Sequence, residues 1–321
     1  MTYATYTLIG PRLEFQDWCR YSSIMRLLKL SYLVILLQML SSSLGAADDY
    51  TAQTEKWRSG RLARLTAPDG WLSLIGLHWL KQGANTVGSA ADNDIVLAKA
   101  PAHLGTITWT SDGKVRVELQ PDSNALIDDK AELASVLIDD SDDKPSVISY
   151  GTTRVNLISR ADRKGLRVKD SAAAARTGFL GLDYFPIDPA WRIEAKWVPF
   201  DPPHEIRIAS IIGTTENEKS PGKAVFDRDG KTFYLIPVQE SPDSLFFIFS
   251  DETSGKETYG AARFLYSDLP KDGKVVLDFN RAVNPPCAFT PFATCPLPPK
   301  ENRLTVRVTA GEKNYRGSHE E

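Results

Sequence analysis

Short β-strands separated by turn residues recur along the chain, and this pattern limits the fold more than any other feature of the sequence. The first series of strand-like segments lies at residues 85–89, 94–97, 105–110, 114–119, 146–150, 154–158 and 165–169. A second series lies at residues 205–212, 222–226, 231–237, 244–250, 260–265, 274–279 and 303–309. One strand every roughly eight to twelve residues is typical of β-sandwiches and barrels. The sequence therefore predicts an all-β fold, preceded by a short amphipathic helix over residues 48–66.

A bend rich in proline and aromatic residues lies between the two series, at residues 176–203, and indicates a boundary. We predict the N-terminal helix and a β-sandwich at residues 48–176, packed against a second β unit at residues 177–321. The second unit contains a proline-rich segment at residues 278–302. Proline fixes φ and removes a backbone donor, so this segment is predicted to be a rigid irregular loop over a cleft.

The first 47 residues are predicted to be a signal peptide with an upstream extension. Arg26 and Lys29 precede an apolar run at residues 30–40, and small residues follow just before Asp48. The apolar run is shorter than the ~20 residues needed to span a bilayer. We therefore expect cleavage before Asp48 and export to the periplasm or the extracellular space. The alternative is an uncleaved N-terminal anchor.

Charge and motifs exclude several classes of function. The chain has 321 residues and a formal net charge of −3, which argues against a nucleic-acid or anionic-membrane partner. A second apolar run of membrane length is absent from the sequence, so no span is expected in the mature chain. Glycine-rich phosphate loops and the GxSxG and HExxH motifs are also absent. We therefore predict no cofactor and no metal and assign no catalytic residue, and the oligomeric state stays open.

Two cysteines, Cys287 and Cys295, lie eight positions apart within the proline-rich loop. In an exported chain this spacing predicts one disulfide across the loop. Such a short closed loop would stabilise the fold by roughly 2–3 kcal/mol. Two free thiols, or a metal site completed by a distant histidine, are the alternatives.

Polar side chains near this loop are the predicted ligand-binding residues. If Arg263 faces Asp278 and Asn280, its guanidinium could bind an anionic ligand through two parallel hydrogen bonds. Alternatively, Arg263 and Asp278 form a structural ion pair that fixes the proline loop. His204 follows two prolines and is a further candidate, because histidine titrates near neutral pH. The complete set of candidates is Arg263, Asp278, Asn280, Asn284, Glu301, Asn302 and His204.

Three functions are compatible with this sequence. The first is the binding of a small anionic or carbohydrate ligand in a cleft under the 278–302 loop. The second is an extracytoplasmic hydrolase that uses Asp278 or Glu301 together with His204. The third is a structural or interaction protein without a small-molecule site. The absence of a nucleophile motif from the sequence weighs against an enzyme, and whether the chain is one stays open.

Residues 85–107 resemble the centre of a forkhead-associated (FHA) β-sandwich. Gly88 and His103 match that family's pattern. Ser89, however, occupies the position of the family's phosphate-binding arginine, and Ala100 occupies the position of its serine. The resemblance implies an FHA-like sandwich in the N-terminal part that does not bind phosphothreonine.

A longer resemblance extends from about Trp57 to Tyr315. The segments that carry it are Pro68–Leu80, Phe185–Ile187, Gly260–Leu265, Leu277–Ala282, Asn284–Phe289, Cys295–Pro299 and Ala310–Lys313. With these motifs the chain resembles the DUF1684 family. This family is functionally uncharacterised, so the resemblance implies no mechanism.

Overall fold

The structure, a computed structural model, describes residues 48–317. The predicted signal peptide at residues 1–47 lies outside them. The chain divides into two units, residues 1–53 and 54–321, and the described part of the first is helical. Helix α1 is described over residues 48–65, as the sequence predicts. Among the described residues, no helix has the length and the hydropathy to cross a membrane.

The N-terminal strands form two five-stranded sheets. One sheet has the order β1-β10-β9-β8-β6 and the other β3-β2-β4-β5-β7, and the only parallel pair described in them is β2 with β3. The strands are β1 (Leu74–Trp79), β2 (Gly83–Gly88), β3 (Ile95–Val96), β4 (Gly105–Trp109), β5 (Val115–Leu119), β6 (Leu126–Ile127), β7 (Ala134–Leu137), β8 (Val147–Tyr150), β9 (Thr153–Arg160) and β10 (Arg163–Asp170). A short helix, α2 (Ala174–Thr177), follows them.

The two sheets share one hydrophobic core, which explains why their sequences alternate. In β5 the buried residues Val115 and Val117 alternate with exposed Arg116 and Glu118. Side chains from both sheets, including Ile107 and Val155, meet in the same core cluster. Burying one such side chain contributes roughly 1.5–3 kcal/mol. The predicted all-β sandwich is confirmed, whereas the resemblance to the FHA family is not confirmed.

The C-terminal strands form a four-stranded sheet, β13-β12-β11-β17, and a three-stranded sheet, β14-β15-β16. The strands are β11 (Arg192–Ala209), β12 (Thr215–Arg228), β13 (Lys231–Leu235), β14 (Val238–Ser241), β15 (Ser244–Phe249), β16 (Arg263–Asp268) and β17 (Lys274–Asp278). Phe226, Leu277 and Phe279 pack with side chains of the three-stranded sheet in a second core. The predicted boundary near residue 176 stays a prediction.

The central strand of the three-stranded sheet, β15, is buried on both faces. Phe247 and Phe249 enter the core shared with the four-stranded sheet. Phe246 and Ile248 point the other way and join a third cluster with Cys287 of the proline-rich loop. A strand buried on both sides is a continuous apolar run, as the sequence Leu-Phe-Phe-Ile-Phe shows.

Arg263, at the start of β16, is fully buried. Its Nη1 lies 3.5 Å from Asp251 Oδ2 and donates to the Val308 carbonyl at 3.0 Å, while its Nη2 donates to the Ala310 carbonyl. Asp251 also accepts a hydrogen bond from the Val308 amide at 2.6 Å. Arg263 therefore pairs with Asp251 rather than with Asp278, because the β15–β16 register sets Phe249 opposite Arg263 and Asp251 follows two residues later.

We expect Arg263→Ala to lower the free energy of unfolding by roughly 3–5 kcal/mol, because Asp251 would remain buried without its cation. Urea unfolding measures this loss, and Arg116→Ala, at an exposed position of β5, is the matched control. A loss no greater than that of the control would contradict a structural role for the buried pair.

Candidate functional site

A cavity of about 470 Å³ opens beside the proline-rich loop. Its walls come from α1, β9, β10, the β11–β12 hairpin, the three-stranded sheet and the 278–302 loop. The volume equals that of roughly 15 water molecules at about 30 Å³ each. It lies within the ~300–1,000 Å³ range of small-molecule pockets. We take this cavity as the candidate site.

One wall of the cavity is aromatic. Phe246 of β15 and Phe264 of β16 meet edge to face with ring centroids 4.8 Å apart. Tyr266, two residues further along β16, stacks on Phe246 at the same centroid distance and is half exposed. Because side chains two positions apart share a face, β16 presents both of its rings to the cavity. This wall can pack against the apolar part of a ligand.

Another part of the cavity wall carries two guanidinium groups that share one carboxylate. Arg160 holds Asp140 with two hydrogen bonds, Nη1 to Oδ1 at 3.0 Å and Nη2 to Oδ2 at 2.7 Å. Arg167 Nη1 lies 3.5 Å from the same Oδ2. Arg160 Nε also donates to Thr294 Oγ1 of the proline-rich loop at 3.1 Å, which joins the N-terminal sandwich to that loop.

Arg167 has fewer hydrogen-bond partners than a buried guanidinium usually has. It is 8% exposed, and its buried Nε and Nη2 have no hydrogen-bond partner among the described residues. Burial and the charge of Arg160 lower the pKa of Arg167, although a guanidinium stays charged in proteins. Its carbon Cζ lies 5.2 Å from the centroid of a Trp71 ring, so the cation is also in contact with an aromatic face. Two donors of this buried cation are therefore left unused by the described residues.

A third arginine, Arg61 of α1, has a carboxylate of its own. Its Nε donates to Glu312 Oε1 at 2.9 Å and its Nη2 to the Asn284 carbonyl at 3.0 Å. Glu312 Oε2 accepts from the Asn284 amide at 2.7 Å, and Asn284 Nδ2 donates to the Lys313 carbonyl at 2.8 Å. The Oδ1 atom of Asn284 is buried without a partner among the described residues. One unused acceptor thus belongs to a residue that lines the cavity.

Two carboxylates, Glu216 and Glu218, line the hairpin side of the cavity. They lie two positions apart on β12 and so share one face. Glu216 Oε1 accepts from the Ala161 amide at 3.1 Å. Burial and, after it, the charge of Glu216 raise the pKa of Glu218. The hairpin therefore places negative charge at the cavity, in addition to the positive charge of the arginine wall.

The two cysteines are free thiols, where the sequence predicts a disulfide. Both are buried, and the Cys287 amide donates to Cys295 Sγ at 3.2 Å. A hydrogen bond between the two thiols raises the pKa of Cys295 and lowers that of Cys287. Cys295 also lines the cavity. Within the described chain, no cluster of three or more His, Cys, Asp or Glu side chains could hold a metal ion.

Of the seven predicted ligand-binding residues, Asn284 lines the cavity. Asp278 instead lies 3.2 Å from Arg281 Nε and accepts from the Asn280 amide. Asn280 exchanges hydrogen bonds with the backbone of Asp188, at 3.0 and 2.8 Å. These residues hold the start of the proline-rich loop.

The other candidates also lie in structural or exposed positions. Asn302 is buried and binds the Ile236 amide and carbonyl, at 2.8 Å each. Glu301 is exposed. His204 is exposed on β11, where its ring stacks on Phe200 with centroids 3.9 Å apart. The structure therefore does not bring the seven together in one place.

The sequence reasoning missed Arg160, Arg167 and Asp140. A usable signal was present in β10, where Gly165, Arg167 and Lys169 alternate with Leu166 and Val168. The two apolar residues belong to the sandwich core, so Arg167 had to lie on the outer face of the sheet. That this outer face borders a cavity depends on contacts distant in sequence.

We expect Asp140→Asn to lower the free energy of unfolding by roughly 1–3 kcal/mol, because two guanidinium groups would lose their shared countercharge. The loss should be larger at low salt, since salt screens the repulsion between Arg160 and Arg167. Urea unfolding at low and high sodium chloride measures it. Asp122→Asn, at an exposed position, is the control. Equal losses in both variants at both salt concentrations would rule out the shared carboxylate.

Comparisons with known proteins give matches to part of the chain. A solved structure similar to part of the chain is the solution NMR structure of an uncharacterized protein of Haloarcula marismortui. It has 32% identity, covers 43% of this chain and 78% of that chain, and has a TM-score of 0.36. The comparison with curated proteins gives no match. Residues 177–313 match the model of DUF1684, described as a protein of unknown function. This match supports the resemblance to DUF1684 for the part of the chain that includes the 278–302 loop.

Proposed function

We propose that the protein binds a small anionic ligand in the cavity beside the 278–302 loop, and that Arg167 holds the anion. The observation that carries this proposal is a buried guanidinium in the cavity wall with two donors that have no partner among the described residues. An unused buried donor costs roughly 1–3 kcal/mol. An anion that accepts from Nε and Nη2 would remove this cost and neutralise the charge.

The neighbours of Arg167 explain why its charge is available. Asp140 makes two close bonds to Arg160 and one longer contact to Arg167. The two arginines therefore share one negative charge, which leaves an excess of positive charge at this wall. Arginine presents its donors in a fixed planar geometry that matches a carboxylate or a phosphate with two parallel bonds. A neutral carbohydrate would fill the volume but would not neutralise this charge.

The hydrolase alternative receives less support from the geometry. It would need His204 beside a carboxylate in the cavity, whereas His204 lies exposed on β11 against Phe200. Asp278 is engaged with Arg281 and the Asn280 amide. A protein with only a structural role is the other alternative, and within the described chain it would leave two donors of Arg167 unused, where Arg58, Arg228, Arg263 and Arg281 each leave one.

We expect Arg167→Gln to weaken the binding of sulfate, phosphate or acetate by roughly 10- to 100-fold, the value of one or two charge-assisted hydrogen bonds. Isothermal titration calorimetry measures the dissociation constants. The matched control is Arg154→Gln, at an exposed position of the neighbouring strand β9. If the wild-type protein binds neither these anions nor a larger compound with a carboxylate, or if Arg167→Gln binds them as tightly as the control, the proposal is wrong.

We also propose that the chain is exported and that Cys287 and Cys295 are joined in an oxidising compartment. The motif before Asp48 supports export. The contact between the Cys287 amide and Cys295 Sγ supports the pairing, because the two side chains already lie next to each other. Pairing would remove both thiols without a large movement of the loop.

Protein recovered from the exported fraction should therefore begin at Asp48 and contain no reactive thiol after unfolding without reductant. Intact-mass spectrometry with and without thiol labelling measures both features at once. The same chain recovered from the cytoplasm, unfolded and labelled in the same way, is the control for the thiols. An N-terminus at Met1 or Met25 would contradict cleavage, and two labelled cysteines in the exported protein would contradict the disulfide.

A further inference from the structure

We infer that the ligand is a zwitterion with an apolar side group, the chemistry of a free amino acid such as phenylalanine or leucine. This inference rests on the proposed function, because it uses Arg167 as the carboxylate-binding group. It adds two features: a site for the ammonium group, formed by Glu216, Glu218 and Asn284, and a surface for the side chain, formed by the aromatic wall.

The negative charge on the hairpin side is the first observation. Glu216 and Glu218 both line the cavity from one face of β12. Burial and, after it, the charge of Glu216 raise the pKa of Glu218, so the two neighbouring carboxylates repel each other. A ligand with negative charge alone would add to this repulsion. A ligand that also carries an ammonium group would relieve it.

The unused acceptor of Asn284 is the second observation, and it is independent of the first. Asn284 is 1% exposed and lines the cavity, and its Oδ1 has no partner among the described residues. Its other groups are engaged by Glu312, Arg61 and Lys313, so the side chain is held in place. An ammonium group has three N–H donors and can serve one acceptor and a carboxylate together. Arg167 thus has two unused donors and Asn284 one unused acceptor, and both residues line the same cavity.

The apolar wall completes the match to an amino acid. Phe246, Phe264 and the half-exposed Tyr266 form a continuous aromatic surface. Trp71 lies near the Arg167 guanidinium and contributes a further ring. An inorganic anion or acetate would leave this surface in contact with water. Burial of a large apolar side chain contributes roughly 1.5–3 kcal/mol, which an inorganic anion cannot gain.

A series of three compounds tests the inference on the wild-type full chain by calorimetry. L-Phenylalanine carries both charges, 3-phenylpropanoate lacks the ammonium group, and 2-phenylethylamine lacks the carboxylate. We expect phenylalanine to bind at least about tenfold more tightly than either of the other two, since each lacks one set of charge-assisted bonds. L-Leucine and L-tryptophan extend the series to other apolar side chains.

Two variants assign the two ends of the ligand. Arg167→Gln should weaken the binding of phenylalanine and 3-phenylpropanoate and leave the binding of 2-phenylethylamine unchanged. Glu218→Gln should weaken the binding of phenylalanine and 2-phenylethylamine. The binding of 3-phenylpropanoate should be unchanged or tighter. Arg154→Gln and Glu205→Gln, both at exposed positions, are the matched controls. Melting curves of all variants separate a loss of binding from a loss of fold.

The outcomes that overturn this inference differ from those that overturn the proposed function. If 3-phenylpropanoate binds as tightly as phenylalanine and depends on Arg167, the ligand is an anion, and the inference alone is wrong. If inorganic anions or acetate bind but none of the three amino acids does, the inference is again wrong while the proposed function stands. If no anion and no amino acid binds the wild-type chain, both are wrong.

Discussion

The buried guanidinium of Arg263 is the interaction on which the second β unit and one wall of the cavity depend. It holds the carbonyls of Val308 and Ala310 and pairs with Asp251, so the C-terminal segment is fixed against β16. Two residues further on, Glu312 bonds Arg61 and the Asn284 amide. A buried ion pair adds little net stability but is costly to break, so its main effect is to specify one arrangement of the chain.

The arginine wall of the cavity contrasts with these ion pairs. Arg263 and Arg61 each have a carboxylate partner, and Arg263 leaves one donor, Nε, unused, whereas Arg167 shares Asp140 with Arg160 and leaves two donors unused among the described residues. In a low-dielectric environment an incompletely paired charge costs stability, and it also binds a complementary group more strongly than the same charge in water. Functional sites commonly retain such a cost, because a perfectly paired site would have nothing left to offer a ligand.

The sequence predicted the all-β class, the helix before the strands and the position of the proline-rich loop, because these follow from local periodicity and proline chemistry. It did not predict the partners of Arg263 or the position of Arg167 at a cavity. Those depend on Asp251, Asp140 and the β11–β12 hairpin, which are distant in sequence or lie in another sheet. Alternation places a side chain on a face of a strand but does not say what covers that face.

The proline-rich loop also takes a different role from the one that its composition suggested. Its polar residues mostly bond to backbone groups, as Asn280 does with Asp188 and Asn302 with Ile236. In an irregular loop, asparagine side chains supply hydrogen bonds to backbone groups that proline leaves without a regular partner. This role explains why the loop contains several asparagines, and it requires no ligand. Asn284 departs from this pattern, because its side-chain oxygen stays unused while the rest of the residue is held. Within the loop, Asn284 is therefore the residue that the proposed ligand would contact, because its side-chain oxygen has no partner among the described residues.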